Sequence, residues 1–442
     1  MKTFFFYDLE TSGLNSREDR IMQFAGQRTD MELNPIGEPV NILVKMSEDA
    51  LPNPGAIMVT KITPQDTLRD GMSEAEFCRY VTEEIFVPNT VAVGYNTVRF
   101  DDEFMRATLW RNFYDPYEWE WKDGRSRWDM LDVVRMVRAL RPEGINWPVT
   151  EDGKATNRLE LLTKCNGLSH EHAHDALSDV YATISVSKMI REKQPKMFEF
   201  LFKMRDKKEI KKLVNLEDKH PFVYSSGRYS SEHNKTTVVF PFTSGRNGNV
   251  LVYDLRYNVL ENNFPVVKEL CYNKCPAVAP MSVLDKGNGW EKIGLSREIV
   301  EQNLKELLKH PEFAEQARSE YENRPEFPPA VEPEAALYEG FLNEPDRVKV
   351  AAVRNADAGR LADFHPDFND ARLPELLLHY KGRNFPESLS EPEVAEWEKY
   401  RLERIKRLAP RFLEELKKIY EKDAFIAEEL KLYFENVFAL DY

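Results

Sequence analysis

Asp8 and Glu10 stand two residues apart in the aromatic-rich run Thr3–Glu10. Side chains alternate across a strand, so both carboxylates project from one face, and their repulsion has to be compensated. Phe4, Phe6 and Leu9 mark the strand as buried, and unpaired acids are costly there. A divalent cation relieves that cost, and hard carboxylate oxygens suit Mg²⁺ or Mn²⁺, not zinc. Alone, an Asp-x-Glu pair is explained equally well by a solvated edge. Two further acid clusters shift the balance. Asn96, Phe100, Asp101, Asp102 and Glu103 follow the short apolar run Val91–Tyr95, and His174-Asp175-Ala176-Leu177-Ser178-Asp179 opens a last helical stretch. His174 and Asp179 are five apart, a little over one turn, and flank one site if His174 lies on the entering loop. Asp102, Glu103, Asp129, Asp132 and Asp175 are read as solvated or structural.

Alternating strands and helices must position these groups over the first ~190 residues. Thr3–Glu10 ends at the turn Thr11-Ser12-Gly13, and Arg20–Thr29 and Pro39–Val44 read as two further strands of an opening meander. Ser73 followed by Glu76 is a capping box ahead of an amphipathic stretch to Phe86. His174–Arg191 is the last helix of this unit. The economical architecture is a mixed sheet covered by helices. After Gln194-Pro195 the texture changes: the β-type runs Thr236–Phe242 and Asn249–Leu255 are joined through a hairpin signal, and Ser296–His310 reads as a capped amphipathic helix. Arg324-Pro325-Glu326-Phe327-Pro328-Pro329 is the best linker, and the remainder is helical in pattern with no β-run. The expected domains are therefore 1–194, 195–326 and 330–442.

Composition bounds the partners. The chain has 442 residues, with 61 Lys+Arg against 75 Asp+Glu for a net charge of −14. Apolar residues at 42% and aromatics at 12% are globular values, which excludes wholesale disorder. No apolar run approaches the ~20 residues of a membrane helix, and Asp8 and Glu10 interrupt any leader-like N-terminus. A cytoplasmic protein without membrane association is expected, with Cys78, Cys165, Cys271 and Cys275 as ordinary thiols. Val331–Tyr442 holds 17 basic and 24 acidic residues, so half the net charge sits in about a quarter of the chain. An acidic total does not exclude a local basic groove. Between Arg99 and Arg141 arginines interleave with aromatics, as in proteins that stack single-stranded bases and follow their phosphates.

The three clusters, Asp8-Leu9-Glu10, Asn96 through Asp101 and His174 through Asp179, resemble the motifs of the DEDDh family of 3′→5′ exonucleases, within the ribonuclease H-like fold. Gly94–Glu103, Arg111–Tyr117, Leu140–Pro148, Asn273-Lys274-Cys275-Pro276 and Tyr380–Pro386 narrow the likeness. They are similar to stretches of the bacterial exodeoxyribonuclease I family and extend the resemblance over nearly the whole chain. That family's layout implies an α/β nuclease domain, a β-rich SH3-like domain and an all-α domain closing around single-stranded DNA. The middle domain is shorter than that layout near Asn262–Val267.

The resemblance implies that Asp8, Glu10 and Asp179 bind metal directly, with Asp101 completing a site for two Mg²⁺ or Mn²⁺ ions. His174, with an unperturbed pKa near ~6.5, suits the general base. It further implies that Arg106, Tyr117, Trp121, Arg135 and Arg158 touch the strand or its terminal nucleotide. Lys207, in the basic run Lys203–Lys212, extends the track, and a solvated helix face explains that run nearly as well. Arg141 fits a pocket for the acidic tail of single-stranded DNA-binding protein, and Phe200 stands where the family has Tyr.

The expected activity is processive 3′→5′ degradation of single-stranded DNA to 5′-mononucleotides by two-metal hydrolysis, in DNA repair and recombination, by a monomer. An RNA-directed or proofreading exonuclease would leave ~240 residues unexplained. A non-catalytic single-strand binding module is the rival from another class, and the intact acids speak against it.

Overall fold

The computed structural model describes residues 1–169, 175–260, 266–325 and 329–439. The first unit is built on a five-stranded sheet of order β3-β2-β1-β4-β5. Its strands are β1 (Thr3–Thr11), β2 (Ile21–Thr29), β3 (Val40–Leu43), β4 (Thr90–Gly94) and β5 (Ser126–Asp129). The first three form an antiparallel meander, while β4 and β5 run parallel to β1. In β1 the even residues Phe4 and Phe6 face one core, and the odd residues Phe5, Tyr7 and Leu9 face another. Asp8 and Glu10 continue the even series, so both emerge from the Phe4/Phe6 face.

Four helices of this unit matter for the site: α1 (Glu74–Tyr80), α2 (Asp101–Arg111), α3 (Met130–Leu140) and α4 (Ala176–Lys193). Ser73 caps α1 with the reciprocal Glu76 bond that the sequence predicts. The expected continuation to Phe86 is not α-helical: Val81–Ile85 is a π-helical turn. On the Phe4/Phe6 side, Val180, Ile184 and Ile190 of α4 join Val93, Val134 and Val137 in one core. That face of β1 therefore looks onto α4.

The second unit is an antiparallel sheet of order β10-β6-β7-β8-β9. Its strands are β6 (Phe222–Ser225), β7 (Thr236–Ser244), β8 (Val250–Asp254), β9 (Val267–Leu270) and β10 (Ala277–Pro280). The hairpin between β7 and β8 turns through Arg246–Gly248, where Asn247 takes the left-handed conformation. Ser296 caps α5 (Arg297–Leu307) as expected. The first core runs on into this unit through Val238, Tyr253 and Val300.

The third unit contains α6 (Leu373–Asn384), α7 (Glu391–Tyr420) and α8 (Ala424–Ala439), with no strand among the described residues. Met22, Met46, Ile57 and Leu51 of the first unit pack with Phe412, Leu416, Leu430 and Tyr433 of α7 and α8. A second seam joins Trp110 and Phe113 to Val353, Leu373 and Leu376. No described helix is long and apolar enough to cross a membrane.

Candidate functional site

Carboxylate oxygens of Asp8, Glu10 and Asp179 all lie within 4.8 Å of one another. Among the described residues these three form the one group able to hold a metal ion. Asp8 and Glu10 come from the end of β1 and Asp179 from the first turn of α4. Asp175 caps that helix by accepting from Ser178 N at 3.2 Å, which orients the turn. His174 lies outside the described residues.

Asp101 is the first residue of α2, and its Oδ1 accepts the Leu9 amide at 3.1 Å, tying it to β1 between the two acids. The turn that delivers it is tight. A Cβ at Gly94 would come within 2.9 Å of the Tyr7 carbonyl and 2.0 Å of the Thr97 side chain, so only glycine fits there. Asn96 then takes a left-handed conformation. Asp129 holds this turn by accepting the amides of Asn96 at 3.0 Å and Val98 at 3.2 Å, and it also caps α3. Burial, then Asp132, pushes the Asp129 carboxyl up to about 6. Asp129 is structural, as is Asp102, which is buried and bonded to Tyr7 and Arg127.

The electrostatics of the cluster ask for a cation. Burial, then Asp101, Asp179 and Glu10, drives the Asp8 carboxyl well above the usual carboxylate range. Glu10 is raised to about 8 by burial and by Asp179 and Asp101. Asp101 is raised as well, by burial and then Asp102. Asp8, Glu10 and Asp101 resist ionising beside Asp179, and the group Asp8, Glu10 and Asp179 is a donor set for a hard dication, which would remove that repulsion.

Around the cluster the predicted contact residues divide by exposure. Trp121 is 65% exposed, and Tyr117 is half-buried, with the exposed ring of Phe341 tilted beside it at 6.1 Å between centroids. Arg158 and Lys207 are exposed. Arg135 pairs with Asp132 and lies against Gly227 of the second unit. Arg106 differs. It is 5% exposed, its guanidinium is held by Glu103 and Glu120, and it underlies the Tyr117 ring at 5.5 Å.

The interleaved arginines as a group are less of a groove than their spacing suggests. Arg111 is spent on Glu74, Arg127 on Asp102 and Glu120, and Arg138 on backbone carbonyls. Sequence counts cations but not the buried acids that consume them. Trp119 and Trp128 are core. Arg141 reaches the carbonyls of Val283 at 2.9 Å and Lys286 at 3.2 Å. Phe200 sits between two cores, half-buried. The four cysteines are free thiols, and none joins a metal-binding group among the described residues.

Sequence reading missed Arg20, Asp49 and Glu334, whose buried pairs brace the turn following β1. Arg20 N donates to Ser12 Oγ at 2.8 Å there. A lone arginine before a strand carries no signal of partners 29 and 314 residues away.

Three family models match the chain: Exonuclease over residues 5–187, Exonuclease I SH3-like domain over 205–263 and Exonuclease I C-terminal domain over 331–436. Exodeoxyribonuclease I of Haemophilus influenzae is 39% identical over 456 residues, spanning 97% of this chain and 96% of that protein. Escherichia coli Exonuclease I in complex with a dA16 oligonucleotide superposes with a TM-score of 0.94 at 36% identity, covering 99% of this chain and 100% of that one. A zinc-bound form of the E. coli enzyme with single-stranded DNA aligns at a TM-score of 0.93 and 35% identity, covering 99% of each chain. A structure of SSB/Exonuclease I with the inhibitor CFAM aligns at 0.92 and 35%, covering 99% of this chain and 100% of that one.

Proposed function

The chain belongs to the exodeoxyribonuclease I family, and from that premise we propose that its acidic cluster hydrolyses single-stranded DNA from the 3′ end. The enzyme is a metal-dependent 3′→5′ exonuclease of DNA repair. The observation that carries the reading is the meeting of Asp8, Glu10 and Asp179 within 4.8 Å on the nuclease sheet.

Asp8, Glu10 and Asp179 would hold the metal, with Asp101 tied beside them from the start of α2 by the Leu9 amide, and Mg²⁺ is the ion best matched to an all-carboxylate set. The E. coli relative also binds zinc, so the hard-ligand argument ranks metals without excluding zinc from such a site. When bound, the ions activate water and stabilise the leaving 3′-oxygen. The protein's own part is to orient the acids, through the Leu9 amide on Asp101 and the Asp175 cap on the helix that carries Asp179. We assign the acceptance of the water proton to His174 from its place in the sequence immediately before Asp175.

Trp121 and Tyr117 supply stacking faces for the strand, and Arg135, Arg158 and Lys207 supply phosphate contacts. Arg106 supports the Tyr117 ring from beneath. Arg141 and Phe200 form the candidate seat for the tail of single-stranded DNA-binding protein, in line with the SSB complex of the related enzyme. The protein acts as a processive monomer in the cytoplasm.

The reading is tested with strands labelled at the 5′ end or uniformly, incubated with Mg²⁺ or with chelator. Release of 5′-mononucleotides from the 3′ end, only with metal and only from single strands, is expected. Binding without metal-dependent cleavage would replace the enzyme by a binding module.

A further inference from the structure

Behind Asp101 runs an unbroken line of alternating charge. The Tyr7 hydroxyl donates to one oxygen of Asp102, and Arg127 Nη1 pairs with the other. Arg127 Nη2 lies 3.0 Å from Glu120 and donates at 2.8 Å to the backbone carbonyl of Asn273 in the second unit. Glu120 accepts from Arg106, which also donates at 2.8 Å to Glu103. Glu103 ends the line by accepting the hydroxyl of Tyr338, on the segment leading into the third unit. Asp102, Arg106 and Arg127 are buried.

The line thus starts one residue from Asp8 and finishes on the third unit, with a branch to the second. Asp102, Glu103 and Arg106 all belong to α2, the helix whose first residue is Asp101. Buried charges persist only when paired, so removing one link leaves its neighbour unmatched and forces a rearrangement. Whatever moves Glu103 or Arg127 therefore acts on the helix that presents Asp101.

We propose that this relay is a positioning device for the reaction. Contacts of the second and third units with Arg127 and Glu103 fix where α2 places Asp101, and through it set the affinity of the acidic cluster for metal. Arg127 and Glu103 are positioning residues, acting on Asp101 through Asp102 and α2. The inference rests on the metal-site reading above. It means that an enzyme whose third unit has drawn away from Glu103 holds metal poorly, which couples cleavage to an enclosed strand.

The test is Mn²⁺ titration of the full-length, DNA-free protein, followed by the paramagnetic resonance of the free ion. Compared are wild type, Asp8→Asn, Arg127→Lys, Tyr338→Phe and Lys61→Met. Asp8→Asn reports whether binding belongs to the acidic cluster at all. Arg127→Lys is expected to weaken it about tenfold or more, as loss of supporting bonds around a metal does. Tyr338→Phe deletes one hydroxyl at a 49% exposed residue and is expected to weaken Mn²⁺ about threefold. In a Glu103→Ala background the same change should add nothing, because that background already lacks the acceptor of the hydroxyl. Lys61→Met breaks an exposed pair with Asp423, between the first and third units but off the relay, and should leave Mn²⁺ affinity within about twofold.

Mn²⁺ binding indifferent to Asp8→Asn would overturn the metal-site reading itself. Binding that needs Asp8 yet is unchanged by Tyr338→Phe and Arg127→Lys would overturn the relay alone. If Arg127→Lys does not fold, Tyr338→Phe decides.

Discussion

Arg20 Nη2 stands 3.1 Å from Glu334 Oε2, with both side chains at most 1% exposed. The pair joins the first unit to the segment that opens the third, and it does not stand alone. Asp49 meets Arg20 at 3.2 Å and Arg383 at 2.8 Å, and Glu334 meets Arg404 at 2.9 Å. Burial works against both carboxylates, yet Arg383, Arg20 and Arg404 hold Asp49 and Glu334 well below the usual range. Because Arg20 also bonds Ser12 at the end of β1, the strand bearing Asp8 and Glu10 is braced from the third unit.

Glu334→Gln should therefore cost about 3–5 kcal/mol of stability, since it strands buried guanidinium groups with too little charge to meet. Urea unfolding of variant and wild type gives the number. A loss below about 1 kcal/mol would show that water or rearranged arginines compensate the missing charge.

The same cluster sets an acid limit. His379 lies within it, stacked on Tyr400 at 3.6 Å between ring centroids, and burial, then Arg383, lowers it to about 3. In the unfolded chain a histidine binds its proton near ~6.5. Between these values the unfolded state holds one more proton, so stability falls as pH falls, by at most ~1.4 kcal/mol per unit. Below the ordinary carboxylate range Asp49 and Glu334 add to the slope in the same direction. His379→Phe should remove the decline that begins near pH 6.5 and leave the one that begins near pH 4.5. Urea midpoints across pH 4–7.5 for both proteins test this; identical curves would mean that His379 is not the source.

Two tryptophans two residues apart, on opposite faces of one helical turn, should behave oppositely. Trp121, at 65% exposure, can lose its ring without harm to the fold, and Trp121→Ala should weaken single-strand binding by ~1–3 kcal/mol. Trp119 is 3% exposed and packs on Phe86 at 4.8 Å, so Trp119→Ala should cost about 3–5 kcal/mol of stability. Anisotropy titrations with a labelled oligonucleotide, set beside thermal unfolding, separate the two roles.

What could be read from sequence follows the range of the interactions. The Asp8/Glu10 face, the Ser73 and Ser296 caps and the β7–β8 hairpin depend on neighbours within a few residues, and the structure shows each of them. The three acid clusters were legible because each is a local motif, although the approach of Asp179 to β1 is not local. The groove was over-read. Arg111 and Arg127 look like phosphate contacts until Glu74 and Asp102 are seen against them, and such pairing depends on the tertiary fold. The Arg20 cluster was invisible for the same reason, its partners being spread from Asp49 to Arg404.

The metal-free cluster responds to pH with the opposite sign to the acid limit. Glu10 is raised to about 8, and Asp8 and Asp101 are raised as well. Between the ordinary carboxylate range and these values the folded protein holds more protons than the unfolded chain. Stability is then fully present at low pH and is lost as pH rises through the raised values. In chelator, the contribution of the cluster should fall from pH 5 to pH 8. Asp8→Asn removes one of the repelling charges, so at pH 8 in chelator it should be more stable than wild type by about 1–2 kcal/mol. Adding Mg²⁺ should reverse the order, because the dication neutralises a cluster that the variant has weakened. The variant should also lose cleavage by more than about 10²-fold, while binding a single strand at least as well as wild type. Urea midpoints with and without Mg²⁺ at pH 5 and 8, with cleavage rates at pH 8, check each part. A wild type more stable than Asp8→Asn in chelator at pH 8 would mean that the four carboxylates do not oppose folding, and would remove the electrostatic reason for a metal.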